Sequence, residues 1–549
     1  MSQLNPGIIQ YGQLQSEIEL GKIKIPQFQR DFVWSKEASA KLLDSIVKRY
    51  PIGTFILWKT NESLRSIRNI GGLDFPQPPM GEFIQYVLDG QQRITSLYAG
   101  FKGCIIETED GQMEDYSQIY IDLDAGEDSE IVVIEIDPAR PHAFIKVTEL
   151  LNGGLALLAE KFRPEYFQKI SDYKARFDGY NYQTISISEA PIDIATEIFT
   201  RLNTEGKSLS VFEIMVAKTF DINRDFDLSE KYDQLIARLE SVKYETISRS
   251  TVLQSVSACM VKECAAKHIL KLDKNDFIDA WDNTMDALEA AVDYLRTYYR
   301  IPVSRLLPYD SLLIPFTYYF FKHPDIPLGS QQSALEDFFW RTTMTERYSG
   351  SSETKLAQDI KRIDNILADK PVVYDESVDI SPEALTEKGY FSAGRAYIKG
   401  LLCILAYQQP QSLINNALVA VDNSYLKQAN SKNYHHFFPT AYLRKQGEPD
   451  WRSNHIANIT IVDDFLNKRK IRARAPSEYI QDFATQNQML DRALETHLID
   501  NAGAFGIYND DYNTFFSQRI ASFSRELEKR LTLTSKDIVK RSNVEGDLS

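Results

Sequence analysis

The spacing of apolar residues predicts that the first part of the chain mixes strands with helices. Residues 36–49 carry apolar side chains at the three- and four-residue intervals of a helix. Short runs rich in β-branched and aromatic residues, bounded by turn formers, predict strands; they are residues 53–59, 83–90, 119–124 and 131–137. Ser210 opens the sequence SVFE, a capping-box pattern that predicts a further helix start.

The pattern changes near residue 229. From there to about residue 371 the apolar residues repeat at helical spacing and strand-like runs are scarce, which predicts a helical middle region. Residues 375–389 are polar and contain Pro382, so we interpret them as a linker. An apolar helix is predicted for residues 397–407, and the last dozen residues are predicted to be disordered.

Together these patterns predict an α+β protein of several domains, because 549 residues are too many for one hydrophobic core. We place an α/β domain at residues 1–225 and the helical middle region at 226–390. A C-terminal helical domain is placed at 391–540 and a disordered tail at 541–549.

Composition and charge narrow the function classes. The net charge of −15 and the pI near 5.2 argue against a protein covered in nucleic-acid-binding surface, although they are compatible with a local basic groove. None of the four cysteines forms a CxxC pair, which favours buried thiols in a reducing cytoplasm. The N-terminus is too polar for a signal peptide, and the longest apolar runs are far short of a membrane span. We therefore expect a cytoplasmic protein that does not enter a membrane.

Two of the seven histidines, His435 and His436, stand side by side in the sequence YHHFFP. Asn458 follows 22 residues after His436 within IANITIV, and Asn467 comes nine residues later. An adjacent histidine pair alone is usually surface decoration. An imidazole that titrates near neutrality nevertheless suits a general base, and phosphodiester hydrolysis also needs a cation to offset charge on the phosphate.

This spacing resembles the HNH, or ββα-metal, nuclease motif. The resemblance implies that His435 is a metal ligand, His436 the general base, Asn458 the residue that pins the loop and Asn467 the second metal ligand. A ligand set with one imidazole and one amide suits Mg²⁺ or Mn²⁺. Since neighbouring residues on a strand point to opposite faces, we expect a bulge or turn to bring both imidazoles into one site.

A basic run follows the motif, with five cations within seven residues: Lys468, Arg469, Lys470, Arg472 and Arg474. Beside a nuclease motif in an acidic chain, we interpret this run as an edge that contacts DNA phosphates. The alternative is a solvated helix face, which is the more common role of such a run taken alone.

Three segments nearer the N-terminus carry further candidates; they are residues 25–35, 87–100 and 197–218. In the second segment a strand runs through a glycine turn into a helix. Gln91, Gln92 and Arg93 are therefore expected at a helix N-terminus, where free N–H groups and the helix dipole favour an anion. The guanidinium of Arg93 adds two donors for a phosphate.

The same three segments supply other polar side chains for a ligand. Arg30 and Arg201 are further candidate phosphate ligands, and Asp89 and Asn203 could hold a cation or orient a water molecule. Taken singly, each segment also has an ordinary interpretation, as a tight turn followed by an exposed helix start.

Taken together, the three segments resemble the N-terminal domain of the GmrSD-type modification-dependent (type IV) restriction endonucleases, which is ParB/sulfiredoxin-like. That family has an IPxyQRxyxW box, a DGQQRxT box and a FxRLNxxGxxL box, and all three occur here in order. The resemblance implies nucleotide binding and hydrolysis, and it adds Gln29, Gly90 and Thr95 to the nucleotide-binding residues. It also implies metal-dependent cleavage of modified phage DNA at the C-terminal site. The chain has no Walker A sequence, so any NTPase activity uses this other architecture.

The leading interpretation is thus an NTP-regulated DNA endonuclease that acts in phage defence, with Mg²⁺ or Mn²⁺ and a nucleoside triphosphate as cofactors. Two other functions stay open: a nucleotide-dependent DNA-binding regulator or sensor that does not cut, and a toxin-like nuclease acting on unmodified nucleic acid. The sequence also leaves open the preferred nucleotide, the DNA modification and the oligomeric state, for which a homodimer is one option.

Overall fold

The computed structural model describes residues 3–26, 32–61, 70, 82–107, 113–126, 128–188, 190, 192–202, 210–221, 223–350, 352–421, 423, 434–462 and 466–537. These residues form an α+β structure of two compact units, Met1–Leu228 (unit 1) and Ser229–Ser549 (unit 2). None of the described helices is both long and apolar enough to cross a membrane. The predictions for Gln29, Arg30, Asn203 and the tail fall outside the described residues.

Unit 1 mixes strands and helices along the chain. Its strands are β1 (Gln3–Ile9), β2 (Ile23–Lys24), β3 (Phe55–Thr60), β4 (Ile84–Asp89), β5 (Ile105–Glu107), β6 (Met113–Asp115), β7 (Tyr120–Asp122), β8 (Val132–Val133), β9 (Phe144–Lys146) and β10 (Tyr182–Ser188). Its helices are α1 (Tyr11–Glu19), α2 (Lys36–Val47), α3 (Gln91–Lys102), α4 (Val147–Asn152), α5 (Leu155–Lys161), α6 (Phe167–Asp178), α7 (Ile192–Leu202) and α8 (Val211–Thr219).

A five-stranded mixed sheet in the order β1-β10-β3-β4-β2 forms the centre of unit 1. β1 is antiparallel to β10, β10 is parallel to β3, β3 is antiparallel to β4, and β4 is parallel to β2. Because β2 and β4 are parallel, their carboxyl ends lie at the same edge of the sheet. This edge therefore receives both the turn after β4 and the chain that leaves β2.

The central sheet is covered on both faces. Neighbouring residues of β4 point to opposite sides, as the two-residue period of a strand requires. Val87 packs in the larger core with side chains of α2 and α3, such as Leu43 and Leu97. Tyr86 and Leu88 pack on the other side in a core that includes side chains of α7 and α8. The β4–α3 turn thus projects from a strand that is fixed from two sides.

The predicted strands and helices of unit 1 are present, but their ends differ by a few residues from the predicted ones. Residues 83–90, 119–124 and 131–137 contain β4, β7 and β8, residues 53–59 overlap β3, which ends one residue later, and residues 36–49 contain α2. α2 begins where it does because the hydroxyl of Ser35 accepts a hydrogen bond from the backbone N–H of Ala38. The capping box is also present: Ser210 and Glu213 each accept from the other residue's backbone N–H at the start of α8.

Unit 2 is predominantly helical. Its helices are α9 (Leu228–Glu240), α10 (Arg249–Val261), α11 (Ala266–Ile269), α12 (Lys274–Thr297), α13 (Leu313–Lys322), α14 (Gly329–Met344), α15 (Ser352–Leu367), α16 (Pro382–Lys388), α17 (Ala396–Tyr407), α18 (Thr440–Lys445), α19 (Asp450–Ser453), α20 (Pro476–Gln486), α21 (Leu490–Glu495) and α22 (Tyr512–Glu528). One two-stranded sheet joins β11 (Tyr434–His436) to β12 (Ile459–Ile461). The described residues from 229 to 371 contain no strand, in agreement with the helical spacing of their apolar residues, and they belong to the same compact unit as the C-terminal part of the chain.

The prediction of a linker at residues 375–389 is wrong for its second half. Ser381 caps a helix there by accepting from the N–H of Ala384, and Pro382 occupies the first helical position, which its fixed φ suits. Ala384 and Leu385 of this helix, α16, are buried. The polar composition misled the prediction because a short helix needs only one buried face.

All four cysteines are buried and free, as their spacing predicted. Burial raises the pKa of the Cys259 and Cys264 thiols to about 12, and it also raises the pKa of Cys104 and Cys403. The thiolate form is the reactive one, so these side chains serve as small apolar groups of the cores.

A buried ionic network links two segments of the helical middle region. The carboxylate of Asp359 is fully buried and accepts from Arg347 Nε at 3.0 and 3.1 Å. It also accepts from Arg362 at 2.5 Å and from the hydroxyl of Tyr348 at 2.7 Å. One carboxylate therefore bridges two arginines that are almost inaccessible to water. Each arginine also has a more exposed acidic partner, Glu376 for Arg347 and Asp375 for Arg362.

We expect Asp359→Asn to lower the free energy of unfolding of unit 2 by about 3–5 kcal/mol, because it removes the buried carboxylate and leaves two nearly inaccessible arginines with only solvent-exposed acidic partners among the described residues. Urea unfolding followed by circular dichroism measures this loss. Glu353→Gln, an exposed carboxylate of the same helix, is the matched control and should change stability by no more than about 0.5 kcal/mol. Equal effects of the two substitutions would contradict the account.

Candidate functional site

The paired histidines lie on β11, the first strand of the two-stranded sheet of unit 2. We call β11, β12 and the segment that joins them the hairpin. β11 pairs with β12 in a regular antiparallel register, in which His435 faces Thr460 and His436 faces Ile459. The bulge expected between the two histidines is therefore not found in these three residue pairs. His435 is buried and His436 is half-buried, and the strand directs their side chains to opposite faces. The hairpin thus fixes both residues but does not bring their imidazoles onto one face.

His436 has a defined partner that the sequence analysis missed. Its Nε2 lies 3.0 Å from the Oδ1 of Asn454. An amide oxygen can only accept, so Nε2 carries the hydrogen and Nδ1 carries the lone pair in the neutral imidazole. Burial lowers the pKa of His436, and the bond to Asn454 acts in the opposite direction. Asn454 could not be identified from spacing, because it belongs to no box and reaches His436 only through the fold.

Asn458 connects the hairpin to the turn that follows His436. Its side-chain amide donates to the carbonyls of Phe438 and Ser453, each at 2.9 Å. Its Oδ1 accepts from the N–H of Phe438 at 2.8 Å, and its backbone carbonyl accepts from Phe437. Asn458 is fully buried, so no water competes for these bonds. They tie together the residues expected to form the loop of the HNH-like motif, while its role in catalysis stays a prediction.

His455, which matched no motif position, has a structural role. Its Nδ1 accepts from the N–H of Ala457 at 3.1 Å, so its Nε2 carries the hydrogen and donates to the carbonyl of Thr386 at 3.1 Å. Burial lowers its pKa to about 4. The Nε2 side of the ring also lies against Gly389, where a Cβ would come within 2.2 Å of the nitrogen. His455 is therefore a neutral anchor between α16 and the hairpin.

Arg519 of α22 is hydrogen-bonded to the backbone of the hairpin. Its Nε donates to the carbonyl of Ala457 at 3.1 Å, and one terminal nitrogen donates to that of Ile459 at 2.6 Å. The other terminal nitrogen donates to the carbonyl of His497. The side chain is fully buried, and burial lowers its pKa to about 9. The two hairpin carbonyls that it holds flank Asn458. Sequence reasoning had no signal for this residue, because an arginine in an amphipathic helix is normally exposed.

The basic run begins in a π-helical segment, Leu466–Ile471, rather than in an ordinary helix. π-helical turns are frequent at functional sites. Lys470 and Arg472 are exposed, and the backbone of Arg472 is in the left-handed region at φ 55°. Arg474 is ion-paired with Asp482. The side chains of Asn467, Lys468 and Arg469 lie outside the described part of the structure, so those assignments stay predictions.

The described residues contain no group of three or more histidine, cysteine or acidic side chains that could hold a metal ion. Of the two predicted metal ligands, His435 has a side chain that the structure describes, whereas that of Asn467 lies outside the described part. Mg²⁺ commonly binds through one or two protein groups, with water and substrate phosphates completing its shell. One imidazole and one amide, as predicted for His435 and Asn467, would suit an ion that is shared with a phosphate.

The second candidate site lies at the sheet edge of unit 1 where β2 and β4 end. Gly90 follows β4 with φ 93°, a left-handed conformation that favours glycine, and α3 starts at the next residue. The side-chain oxygen of Gln92 accepts from the N–H groups of Val33 and Trp34 at 2.9 and 3.3 Å. The structure thus brings the end of the first box against the DGQQR turn. Gln91 and Thr95 are buried in the same helix.

Arg93 is engaged with the protein rather than extended into solvent. Its guanidinium donates to the carbonyls of Ile52 and Thr54 at 2.7 and 3.2 Å, and it pairs with Asp89 at 2.9 Å. It also stacks on the ring of Phe55, 5.3 Å from the ring centre. Arg93 therefore holds the start of β3 against the β4–α3 turn. Its predicted contact with a phosphate would require exchanging some of these bonds.

Arg201, from the third box, lies in the last turn of α7. Its side chain is 78% exposed and pairs with Glu197 on the same helix at 2.6 Å. A surface pair of this kind is weak, so the guanidinium can leave it for a ligand at little cost. α7 packs on β4, and its 11 residues form a helix about 16 Å long.

The comparisons with known proteins address unit 1 most directly. Residues 11–220 match the family model of the GmrSD restriction endonuclease, N-terminal domain. This match supports a restriction endonuclease of the GmrSD type, for which DNA is the implied partner. The chain is also similar to "Uncharacterized protein MJ0686" of Methanocaldococcus jannaschii, with 23% identity over 509 residues that cover 84% of each chain. That similarity extends beyond the N-terminal unit, because 509 residues exceed its length.

The buried histidines predict how stability depends on pH. Burial lowers the pKa of His497 to about 4, well below the ordinary value of 6.5, so the unfolded chain binds the proton more readily. Stability from this group is complete above pH 6.5 and is lost as the pH falls toward 4. Between pH 6 and 5, protonation of His497 should lower the free energy of unfolding of unit 2 by about 1 kcal/mol for each pH unit. His497→Gln should reduce that slope by the same amount; an unchanged slope in urea titrations would contradict it.

Proposed function

We propose that the protein is an NTP-regulated, metal-dependent DNA endonuclease of the modification-dependent restriction type, acting in defence against phage. The family match of residues 11–220 supports the restriction class. The observation that carries the nuclease part is the hairpin of unit 2, in which His436 is held by Asn454 next to a turn closed by Asn458. This arrangement supplies an oriented imidazole on a rigid support.

His436 is the general base of the proposed reaction. With Nε2 donating to Asn454, the Nδ1 lone pair accepts a proton from the attacking water. The water oxygen then forms a bond to phosphorus, and the bond from phosphorus to the leaving oxygen breaks. The lowered pKa of His436 keeps the imidazole in the neutral form that can accept the proton. Asn454 is thereby a positioning residue that sets which nitrogen faces the water.

His435 and Asn467 are the proposed ligands of Mg²⁺ or Mn²⁺. Because β11 directs the imidazole of His435 away from that of His436, the proposal requires β11 to change its local geometry when the ion and DNA bind. When bound, the ion would offset negative charge that develops on the phosphate and leaving oxygen. The exposed Lys470 and Arg472, together with Lys468, Arg469 and Arg474, are proposed to contact DNA phosphates. Of these, Arg474 is the least available, because it is already paired with Asp482.

The proposed nucleotide site is the sheet edge of unit 1. Gly90 precedes α3 and has no side chain that could cap the helix, and a helix N-terminus favours the phosphates of a nucleoside triphosphate. Gln91 and Gln92 line this turn, and Gln29, Arg30 and Asn203 come from the flanking boxes. Arg93 shapes the turn through its bonds to Ile52, Thr54 and Asp89. Of Arg93 and Arg201, Arg201 is the more exposed and the more free to bind a phosphate.

Two substitutions test the nuclease assignment. We expect His436→Ala to lose DNA cleavage by about 10²–10⁴-fold, the usual contribution of a general base, while folding and NTP hydrolysis persist. His435→Ala should also lose cleavage, but through weaker metal binding. Raising Mg²⁺ or replacing it with Mn²⁺ should then partly restore cleavage by His435→Ala and hardly change His436→Ala. Wild-type cleavage rates in both variants would overturn the nuclease assignment.

Arg201→Ala tests the nucleotide site. A charge-assisted contact to phosphate contributes about 1.5–3 kcal/mol, so NTP affinity should fall roughly tenfold or more, without loss of stability. Arg163→Ala is the matched control, because it removes another exposed, ion-paired arginine of unit 1. Calorimetric titration with each of the four nucleotides measures the affinity. If both variants bind NTP as the wild type does, Arg201 is not a phosphate ligand.

A further inference from the structure

Unit 2 contains a cavity of about 750 Å³ that the proposed function does not use. It lies between residues of α16, α19 and α22, and the residues that define its chemistry are Glu383, Glu387, Tyr390, Trp451, Arg452 and Phe516. The volume is in the range of a small-molecule site.

Two of the aromatic side chains that line this cavity are unusually open to solvent. Tyr390 is 46% exposed and Trp451 is 48% exposed, although both sit beside well-packed residues such as His455 and Phe516. Trp451 meets Phe516 edge-to-face, with ring centres 6.5 Å apart and the planes at 88°. The cavity therefore offers aromatic surface that the protein's own side chains leave uncovered.

The charge of the cavity is negative. Glu383 and Glu387 lie one turn apart on α16, both are exposed, and neither makes an ion pair or hydrogen bond with any described residue. Arg452 is the one cation among the described residues that line the cavity, and it is already compensated. It pairs with Glu448 at 2.9 Å and donates to Asn513 at 2.8 Å. Two carboxylates thus face the cavity without a counter-charge.

Arg452 is itself a cation that stacks on aromatic rings next to this cavity. Its guanidinium stacks 5.0 Å from the centre of the Phe516 ring and 5.4 Å from that of Tyr512. Aromatic faces attract cations through the negative potential of the ring, most strongly for tryptophan. The rings of Trp451 and Tyr390 can act in the same way on a ligand that enters from solvent.

We propose that this cavity is a binding site for a small organic cation, an alkylammonium or related ammonium compound. The aromatic rings would cover its alkyl groups while Glu383 and Glu387 neutralise its charge. An anion such as a nucleotide would meet two uncompensated carboxylates. A bare metal ion would find no cluster of three or more ligating side chains among the described residues.

The site is linked to the hairpin by short backbone connections. Trp451 and Arg452 belong to α19, and Asn454 follows directly after that helix. The N–H of Phe391, next to Tyr390, donates to the carbonyl of Asn454 at 2.9 Å. A ligand that restricts the motion of Tyr390 and Trp451 would therefore also restrict the motion of Asn454, the hydrogen-bond partner of His436. Binding of the cation itself does not depend on nuclease activity, so the two proposals fail separately.

The test is calorimetric titration of the full-length protein, without DNA, with tetramethylammonium chloride. Tert-butyl alcohol, which has a similar shape and no charge, and sodium chloride at equal ionic strength are the ligand controls. We expect saturable binding of tetramethylammonium alone, with a change in tryptophan fluorescence. The double variant Glu383→Gln/Glu387→Gln should weaken this binding about tenfold or more, and Trp451→Leu should weaken it to a similar degree.

The matched control is Asp282→Asn/Asp286→Asn, which removes two exposed carboxylates, also one turn apart, from α12 of the same unit. This variant should bind tetramethylammonium as the wild type does. Thermal unfolding verifies that every variant is folded. No saturable binding, equal binding of the uncharged alcohol, or equal weakening in the α12 variant would overturn the proposal.

Discussion

The candidate nuclease site depends on the buried guanidinium of Arg519. A charged group without water is costly to bury, and here three backbone carbonyls surround it where a carboxylate would be usual. Two of those carbonyls belong to Ala457 and Ile459, the neighbours of Asn458. Hydrogen bonds to charged donors are stronger than neutral ones, so this segment of backbone has little freedom. Asn458 can then fix the turn at Phe437 and Phe438, and with it the end of the strand that carries His436.

The sequence revealed those parts of this site that follow one another at fixed spacing. The adjacent histidines and Asn458 were identified because each belongs to a short local pattern, and the hairpin pairs the strands that carry them. Asn454 and Arg519 could not be found in this way. Their contacts are made by packing between distant segments, and an isolated asparagine or helical arginine has no pattern of its own. The regular register of β11 against β12 was also unexpected, since a bulge between His435 and His436 was predicted to bring both imidazoles into one site.

In unit 1 also, features set by neighbouring residues could be predicted, whereas contacts between distant segments could not. The strands, the glycine turn and the helix starts could be predicted, because β-branched runs, a positive-φ glycine and capping residues act locally. The role of Arg93 could not. A helix N-terminus suggested a free phosphate ligand, whereas the fold brings Ile52, Thr54 and Asp89 within reach of its guanidinium. Similarly, the polar segment that contains α16 looked like a linker, yet its few apolar side chains are buried against the rest of unit 2.

We propose that this chain cuts modified DNA under nucleotide control. The most direct measurement incubates the intact protein and Mg²⁺ with phage DNA carrying modified bases and with the same DNA unmodified, adding each of the four nucleoside triphosphates in turn. The account predicts cleavage of the modified DNA in the presence of a nucleotide and none of the unmodified DNA. Equal cleavage of both substrates, or binding without cleavage under every condition, would contradict it.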